Sequence, residues 1–295
     1  MLDVVGAERL TVIANTGDDV EIYGAHVSPD PDLVTFWLAD RIDARGWGID
    51  GDTFQVMDAL RELGEDIWFN LGDSDLAIAI KRAQMLAGGK RLTDAHRRLS
   101  EEIGVRAAVL PMSDRPVRTR ILAGGRWWPL QEFMIRARAA DPIEDVQFRG
   151  AREAGTTPEV LEAIIHAGAI VIGPSNPVIS IGPILAIEEL RAALVASPAP
   201  VVAVSPLVHG QVVKGPTAAF MRYRGVEVSA TGVASLYDGL IDGLVADESA
   251  DQPLPTLRAN MLMDSADARG RLAAETLEFA ASLAQRAPAS NFPAR

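Results

Sequence analysis

The chain has 295 residues, of which 48% are hydrophobic and 23% charged, a balance that suits a soluble globular protein with a large core. It contains no cysteine, which excludes disulfides, thiolate nucleophiles, iron–sulfur clusters and cysteine zinc sites. A formal net charge of −12 argues against nucleic acid and anionic membranes as partners, so a phosphorylated ligand has to be held locally. No apolar run approaches the ~20 residues of a membrane span, and Met1-Leu2-Asp3-Val4 lacks the features of a signal peptide. The expected location is therefore cytoplasmic.

The predicted elements alternate. Residues 10–14 form a β-branched run that predicts a buried strand, ending in the loop Asn15-Thr16-Gly17-Asp18-Asp19. A second loop, Ser28-Pro29-Asp30-Pro31-Asp32, precedes a helix opening at 33–38. Helical spacing over 53–63, 75–86 and 93–103 stops at Gly64, Gly88-Gly89 and Gly104. A strand follows at 107–110. Segments 119–122 and 126–130 flank Gly124-Gly125, a hairpin signal, and 146–149 adds a strand. Residues 111–150 thus read as a small α+β insert within one domain spanning 1–295.

The rhythm then resumes. Thr157-Pro158 predicts an N-cap with proline at the first helical position, and Gly168 closes that helix. Strands are expected at 169–172 and 201–204, weaker ones at 225–228 and 243–246, and a short one at 260–263. Helices are expected at 184–195 and 266–283, with a frayed tail at 287–295. This order predicts an α/β, Rossmann-like three-layer fold with a mostly parallel sheet, whose ligands bind at the carboxyl ends of the strands.

Polar loops fall just after the strand patterns. The four aspartates of the first two loops suit Mg²⁺, which uses one or two carboxylates with water and phosphate oxygens; aspartate is also simply common in turns. Gly173-Pro174-Ser175-Asn176-Pro177 leaves backbone N–H groups open to an anion, or is a tight connection. Ser205-Pro206 opens a similar loop, in which Lys214 can neutralise a phosphate or stay solvated. Asp73, in Leu71-Gly72-Asp73-Ser74-Asp75, is a ligand group or a helix cap. Trp47 is a stacking platform or a core residue.

In order along residues 10–283, these loops resemble the 2-phospho-L-lactate transferase family, the CofD/FbiA type enzymes of coenzyme F-420 biosynthesis. The resemblance also rests on Arg45 to Phe54 (RGWGIDGDTF), Pro111 to Thr119 (PMSDRPVRT), Gly173 to Leu185 (GPSNPVISIGPIL) and Asn260 to Asp264. It implies Mg²⁺ and transfer of a phosphorylated three-carbon acid from its guanosine diphosphate adduct to the deazaflavin alcohol Fo, releasing GMP. By motif, Asp32 matches the aspartate that contacts metal or Fo, and Asp18 and Asp19 help hold the metal; Asp32 is also the simplest aspartate to accept or orient the hydroxyl proton. Ser175 and Asn176 lie along the guanosine diphosphate. Asn15, Trp47, Asp73, Gly173, Ser205 and Lys214 complete the expected substrate-binding set, and a homodimer is the default assembly.

Two departures stand out. The family pattern opens with a strand and a glycine-rich loop, so a strand–loop–helix of about 30 residues is expected upstream or lost. Ser74 stands where the family has arginine, so a cationic contact to substrate is either absent or supplied by Lys81 or Arg82. The competing reading is a non-enzymatic nucleotide-sugar-binding regulator of the YvcK-like gluconeogenesis-factor branch.

Overall fold

Short runs of valine, isoleucine and alanine make the parallel strands, because such side chains fill a pleated surface buried on both faces. The computed structural model describes residues 1–44, 46–139, 142–251 and 253–286. Strand β1 (Thr11–Ala14) leads into a hairpin of β2 (Val20–Ile22) and β3 (Ala25–Val27). Helices Pro29–Leu38, Gln55–Glu62, Asp73–Ala87 and Leu92–Ile103 follow. Then β4 (Ala108–Pro111) returns to pair with β1 in parallel.

Next come β5 (Arg118–Ala123), β6 (Arg126–Pro129) and β7 (Ile143–Arg149), an antiparallel sheet of order β6–β5–β7. The rest of the chain supplies β8 (Ile170–Ile172), β9 (Val201–Val204), the hairpin β10 (Leu207–Val208) and β11 (Gln211–Val212), β12 (Gly243–Ala246) and β13 (Thr256–Arg258). Strands β13–β12–β9–β8 form an all-parallel sheet in that order.

Every residue of β9 and β12 is buried, which places these strands at the centre. One face, with Val201, Ala203, Leu244 and Ala246, packs on Ile164, Leu190 and Leu194 of helices Pro158–Ile165 and Glu188–Ala196. The other face, with Val202, Val204 and Val245, packs on Leu272, Ala280 and Leu283 of helix Ala266–Arg286. Ile13 of β1 and Leu110 of β4 join the first of these clusters, so the two parallel sheets share a core. The fold is α/β with parallel sheets. No described helix is long and apolar enough to cross a membrane.

Several segments depart from the sequence expectation. The helix expected from 33 starts at Pro29, where proline's missing N–H is unneeded and its fixed φ suits the first turn. The single helix expected at 184–195 is two, Gly182–Leu185 and Glu188–Ala196, because extended Ile187 between them is buried. Residues 225–228 form no strand; they link helices Thr217–Tyr223 and Ala230–Leu236 while Val226 and Val228 pack on the core. The strand expected at 260–263 lies earlier, as β13, and the Asn260 side chain accepts from the Leu262 N–H at 3.0 Å in a turn. Arg45 and the tail 287–295 lie outside the described residues.

Packing at Gly232 leaves no room for a methyl group. A Cβ there would lie 1.9 Å from the carbonyl oxygen of Glu227. Gly232→Ala should therefore destabilise by about 1–3 kcal/mol, the usual range for forced overpacking. An unchanged urea midpoint would contradict this contact.

Candidate active site

Parallel strands gather their following loops on one side of the sheet. β1 delivers Asn15 to Asp19 there, and helix Pro29–Leu38 begins beside them with Asp30 and Asp32 in its first turn. Residues two apart on an α-helix point about 200° apart, so these aspartates face opposite ways. Asp30 turns toward Asn15. The Asn15 Nδ2 donates to Asp30 Oδ2 at 3.0 Å and to Asp18 Oδ1 at 3.0 Å. Its orientation is fixed by Oδ1, which accepts from the Gly17 N–H at 2.7 Å. Gln131, from the helix after β6, donates to Asp18 Oδ2 at 3.2 Å.

One amide nitrogen thus serves two carboxylates. Burial pushes Asp18 well above the usual carboxylate range, and the charges of Asp30 and Asp19 push the same way. Burial also raises Asp30, to about 6, against the Asn15 hydrogen bond. A divalent cation between two such groups relieves both penalties, and Mg²⁺ completes its shell with water and phosphate oxygens. The donor set therefore fits Mg²⁺. Among the described residues there is no group of three His, Asp or Glu side chains that could hold a metal without such help.

Gly17 is where distant segments converge. A Cβ there would lie 2.8 Å from Asn15 Oδ1, from Pro183 Cβ and from Thr119 Oγ1. The Thr119 N–H donates to the Gly17 carbonyl at 2.6 Å. The buried hydroxyls of Thr16 and Thr119 have no hydrogen-bond partner among the described residues. Three motifs far apart in sequence thus close around a polar point at the end of β1.

Asp19 and Asp32, also expected as metal ligands, are engaged elsewhere. Asp19 accepts from the Ser28 hydroxyl at 2.7 Å and pairs with His26 Nε2 at 3.0 Å. Burial alone would lower the His26 pKa, but its bonds to Asp19 and Glu21 hold it up at about 9. Asp32 is gripped through both oxygens by Arg82: Nη1 donates to Oδ2 at 3.0 Å and Nη2 to Oδ1. Arg82 is fully buried and also donates to the His26 carbonyl at 2.9 Å, so it supplies no cation to a substrate. Lys81 is exposed.

The loops of the second half lie at the ends of β8 and β9. Ser175 is exposed, and no side chain crowds Gly173. Asn176 Oδ1 accepts from the N–H groups of Val178 (2.9 Å) and Ile179 (3.2 Å), leaving only its amide nitrogen for a ligand. Ser205 is buried and its hydroxyl accepts from the Leu207 N–H at 3.2 Å, a turn-forming role. The structure brings Trp47 and Lys214 together, with Nζ 4.5 Å from the ring centroid and Trp47 exposed. Asp73 is a cap. It accepts from the N–H groups of Gln55 and Val56 and from the Thr53 hydroxyl, while Asp52 accepts from Ser74 and Asp75 at the start of the other helix. Asp73 therefore caps helix Gln55–Glu62, and Asp52 caps Asp73–Ala87.

The chain matches the family described as 2-phospho-L-lactate transferase CofD over residues 2–274. It belongs to the CofD family. It is 40% identical to a 2-phospho-L-lactate transferase of Methanosarcina mazei, over 83% of this chain and 81% of the relative. It is 34% identical to one of Methanocaldococcus jannaschii (95% and 93%) and 37% identical to a phosphoenolpyruvate transferase of Kitasatospora aureofaciens (95% and 92%). A solved UPF0052-family protein from Bacillus halodurans superposes with a TM-score of 0.56 at 16% identity, covering 89% of this chain and 90% of that one. That likeness shows the fold alone. As a member of the CofD family the chain is a transferase.

Sequence reasoning gave no role to His26 or Gln131, counted Asp30 only among the four loop aspartates that suit Mg²⁺, and took Arg82 as a substrate cation. Asp30 was visible in the second loop; only the helix start at Pro29 separates it from Asp32. Two stability predictions follow from the buried charges. Asp32→Ala strands the Arg82 guanidinium and should cost about 3–5 kcal/mol in urea unfolding; a loss below ~1 kcal/mol would refute the pair. His26 is raised from 6.5 to about 9, so its contribution is complete below pH 6.5 and disappears as pH rises through about 9. The stability decline across that window should flatten in His26→Asn; a wild-type slope in that variant would exclude His26 as its source.

Proposed function

We propose that this chain transfers a phosphorylated three-carbon acid from its guanosine diphosphate adduct to the terminal hydroxyl of Fo, releasing GMP. The acid is 2-phospho-L-lactate, phosphoenolpyruvate or phosphoglycerate. The observation that carries the reading is the half-buried Asp18–Asn15–Asp30 group at the end of β1, in a chain whose relatives bear transferase names.

Mg²⁺ bound by Asp18 and Asp30 would take up charge on the phosphoryl oxygens. The protein's own groups do the rest. Asn15 holds the two carboxylates side by side, and its grip on Asp30 Oδ2 leaves Oδ1 for the Fo hydroxyl. Asp30 accepts the hydroxyl proton as the oxygen bonds to the phosphorus that carries the acid. The bond from that phosphorus to the GMP oxygen breaks, and GMP leaves with the electron pair. In this scheme Asp32, held by Arg82, orients the helix that carries Asp30. Ser175 and the backbone N–H groups of 173–177 lie along the diphosphate, Lys214 neutralises part of its charge, and Trp47 stacks on the deazaflavin ring.

Fo fluorescence titrated into the protein should saturate, and tighten with Mg²⁺ and a guanosine diphosphate analogue. No saturable binding would refute the reading. At Mg²⁺ concentrations that saturate the variant, Asp30→Asn should lose about 10²-fold or more in turnover, the range for a lost general base. Near-normal turnover would remove Asp30 from that role. Because burial pushes the Asp30 carboxyl up to about 6, Mg²⁺ affinity in calorimetry should fall as pH drops through that value. Affinity that stays flat from pH 8 to 5 would exclude Asp30 as a ligand.

A further inference from the structure

The insert sheet carries an unexplained concentration of positive charge. Along β5, Thr119, Ile121 and Ala123 are buried, so Arg118 and Arg120 point to the opposite, outer face. On that face Arg118 stands directly across from Arg149 of β7, and Arg120 across from Gln147. Like charges directly opposite in an antiparallel pair destabilise it. Arg118 has a counter-charge in Glu21. Among the described residues, neither Arg120 nor Arg149 forms an ion pair. Asp145 shares the face, but its oxygens are taken by the Tyr223 hydroxyl, the Val146 N–H and the Gln147 amide.

Two further observations point to an absent partner. The Arg120 Nε is buried and finds no acceptor among the described residues, an expensive state for a guanidinium nitrogen. Its Nη2 reaches only the Trp127 carbonyl at 3.3 Å. A cavity of about 100 Å³ opens between Arg120, Trp127, Gln147 and Arg149. That space takes one small oxyanion, which could accept from the two guanidinium groups in the forked geometry arginine favours. The Gln147 amide can add a further donor.

We propose that Arg120 and Arg149, with Trp127 and Gln147, form a binding site for a small oxyanion, a phosphate or carboxylate group, on the outer face of the insert sheet. In a chain of net charge −12 this is a local attraction built into one sheet face. It stands independently of the transferase reading, since none of its residues belongs to the Asp18–Asp30 site.

The test uses the full chain, with inorganic phosphate and, separately, malonate titrated against chloride at constant ionic strength. Calorimetry and the thermal midpoint are followed together. The wild type should bind saturably and gain thermal stability. Exposed Arg149→Gln should fold normally, match the wild-type midpoint in chloride, and bind about tenfold or more weakly. Arg120→Gln should do the same. Arg126→Gln should bind as the wild type, because Arg126 lies on the other face of the sheet and stacks over Trp128. A response to phosphate alone assigns a phosphate group, and a response to both anions assigns a fork that also takes carboxylates. Wild-type binding by Arg149→Gln, or no saturable binding of either anion, overturns the site. So does self-association that Arg149→Gln abolishes without any effect of the anions, which would give the face to a second copy.

Discussion

A fully buried guanidinium must find a carboxylate, and in this chain that requirement organises the first half of the fold. Arg82 sits on helix Asp73–Ala87 and takes both oxygens of Asp32 on helix Pro29–Leu38. A further bond goes to the His26 carbonyl on β3. Three elements are thereby fixed relative to one another through one planar group. Its fork geometry permits little rotation of either helix without losing a bond.

The consequence is felt on the far side of the helix. With Asp32 facing Arg82, helical geometry turns Asp30 the other way, toward the loop after β1. There Asn15 holds it beside Asp18. The inward pair is a structural ion pair, and the outward group is a pair of carboxylates whose pKa values burial raises. Asp19 takes a third role, tying β3 to the same loop through His26 and Ser28. Four aspartates that look equivalent in the sequence thus divide according to which side of one short helix they reach.

Much of the architecture was legible because periodicity is a local signal. The β1, β4, β9 and β12 runs and the helices at 73–87 and 92–103 declare themselves by apolar spacing and glycine stops. The hairpin at Gly124-Gly125 is equally plain, since both glycines have positive φ, at 59° and 69°. What could not be read was long-range pairing. Asp73 reads as a ligand group or as the cap of its own helix until Gln55 and Val56 arrive from another segment to be capped. Arg82 looks like a surface cation until Asp32, fifty positions away, closes on it. Asn176 and Ser205 turn out to brace their own loops, because short polar side chains bond nearby backbone as readily as a ligand. Trp47 and Lys214 share an expected substrate-binding set, but their direct contact had no sequence signal.

The surroundings of Arg82 explain why its attachment to Asp32 is undivided. Asp75 and His96 lie in the same helical interface and are the obvious competitors. Burial, and then the Asp32 charge, push Asp75 up to about 7, so below that pH it keeps its proton. Burial, and then Arg82, pull His96 down to about 3, so its ring is neutral. His96 Nε2 is satisfied by the Thr35 hydroxyl at 3.1 Å. Below about pH 7 the interface therefore holds one charge pair among neutral polar groups, which avoids the cost of desolvating further ions. Asp75 Oδ1, Arg82 Nε and His96 Nδ1 have no protein partner among the described residues, and ordered water is the usual answer for such groups. Both bonds of the Arg82 fork go to Asp32, and the orientation of Asp30 follows from that pairing.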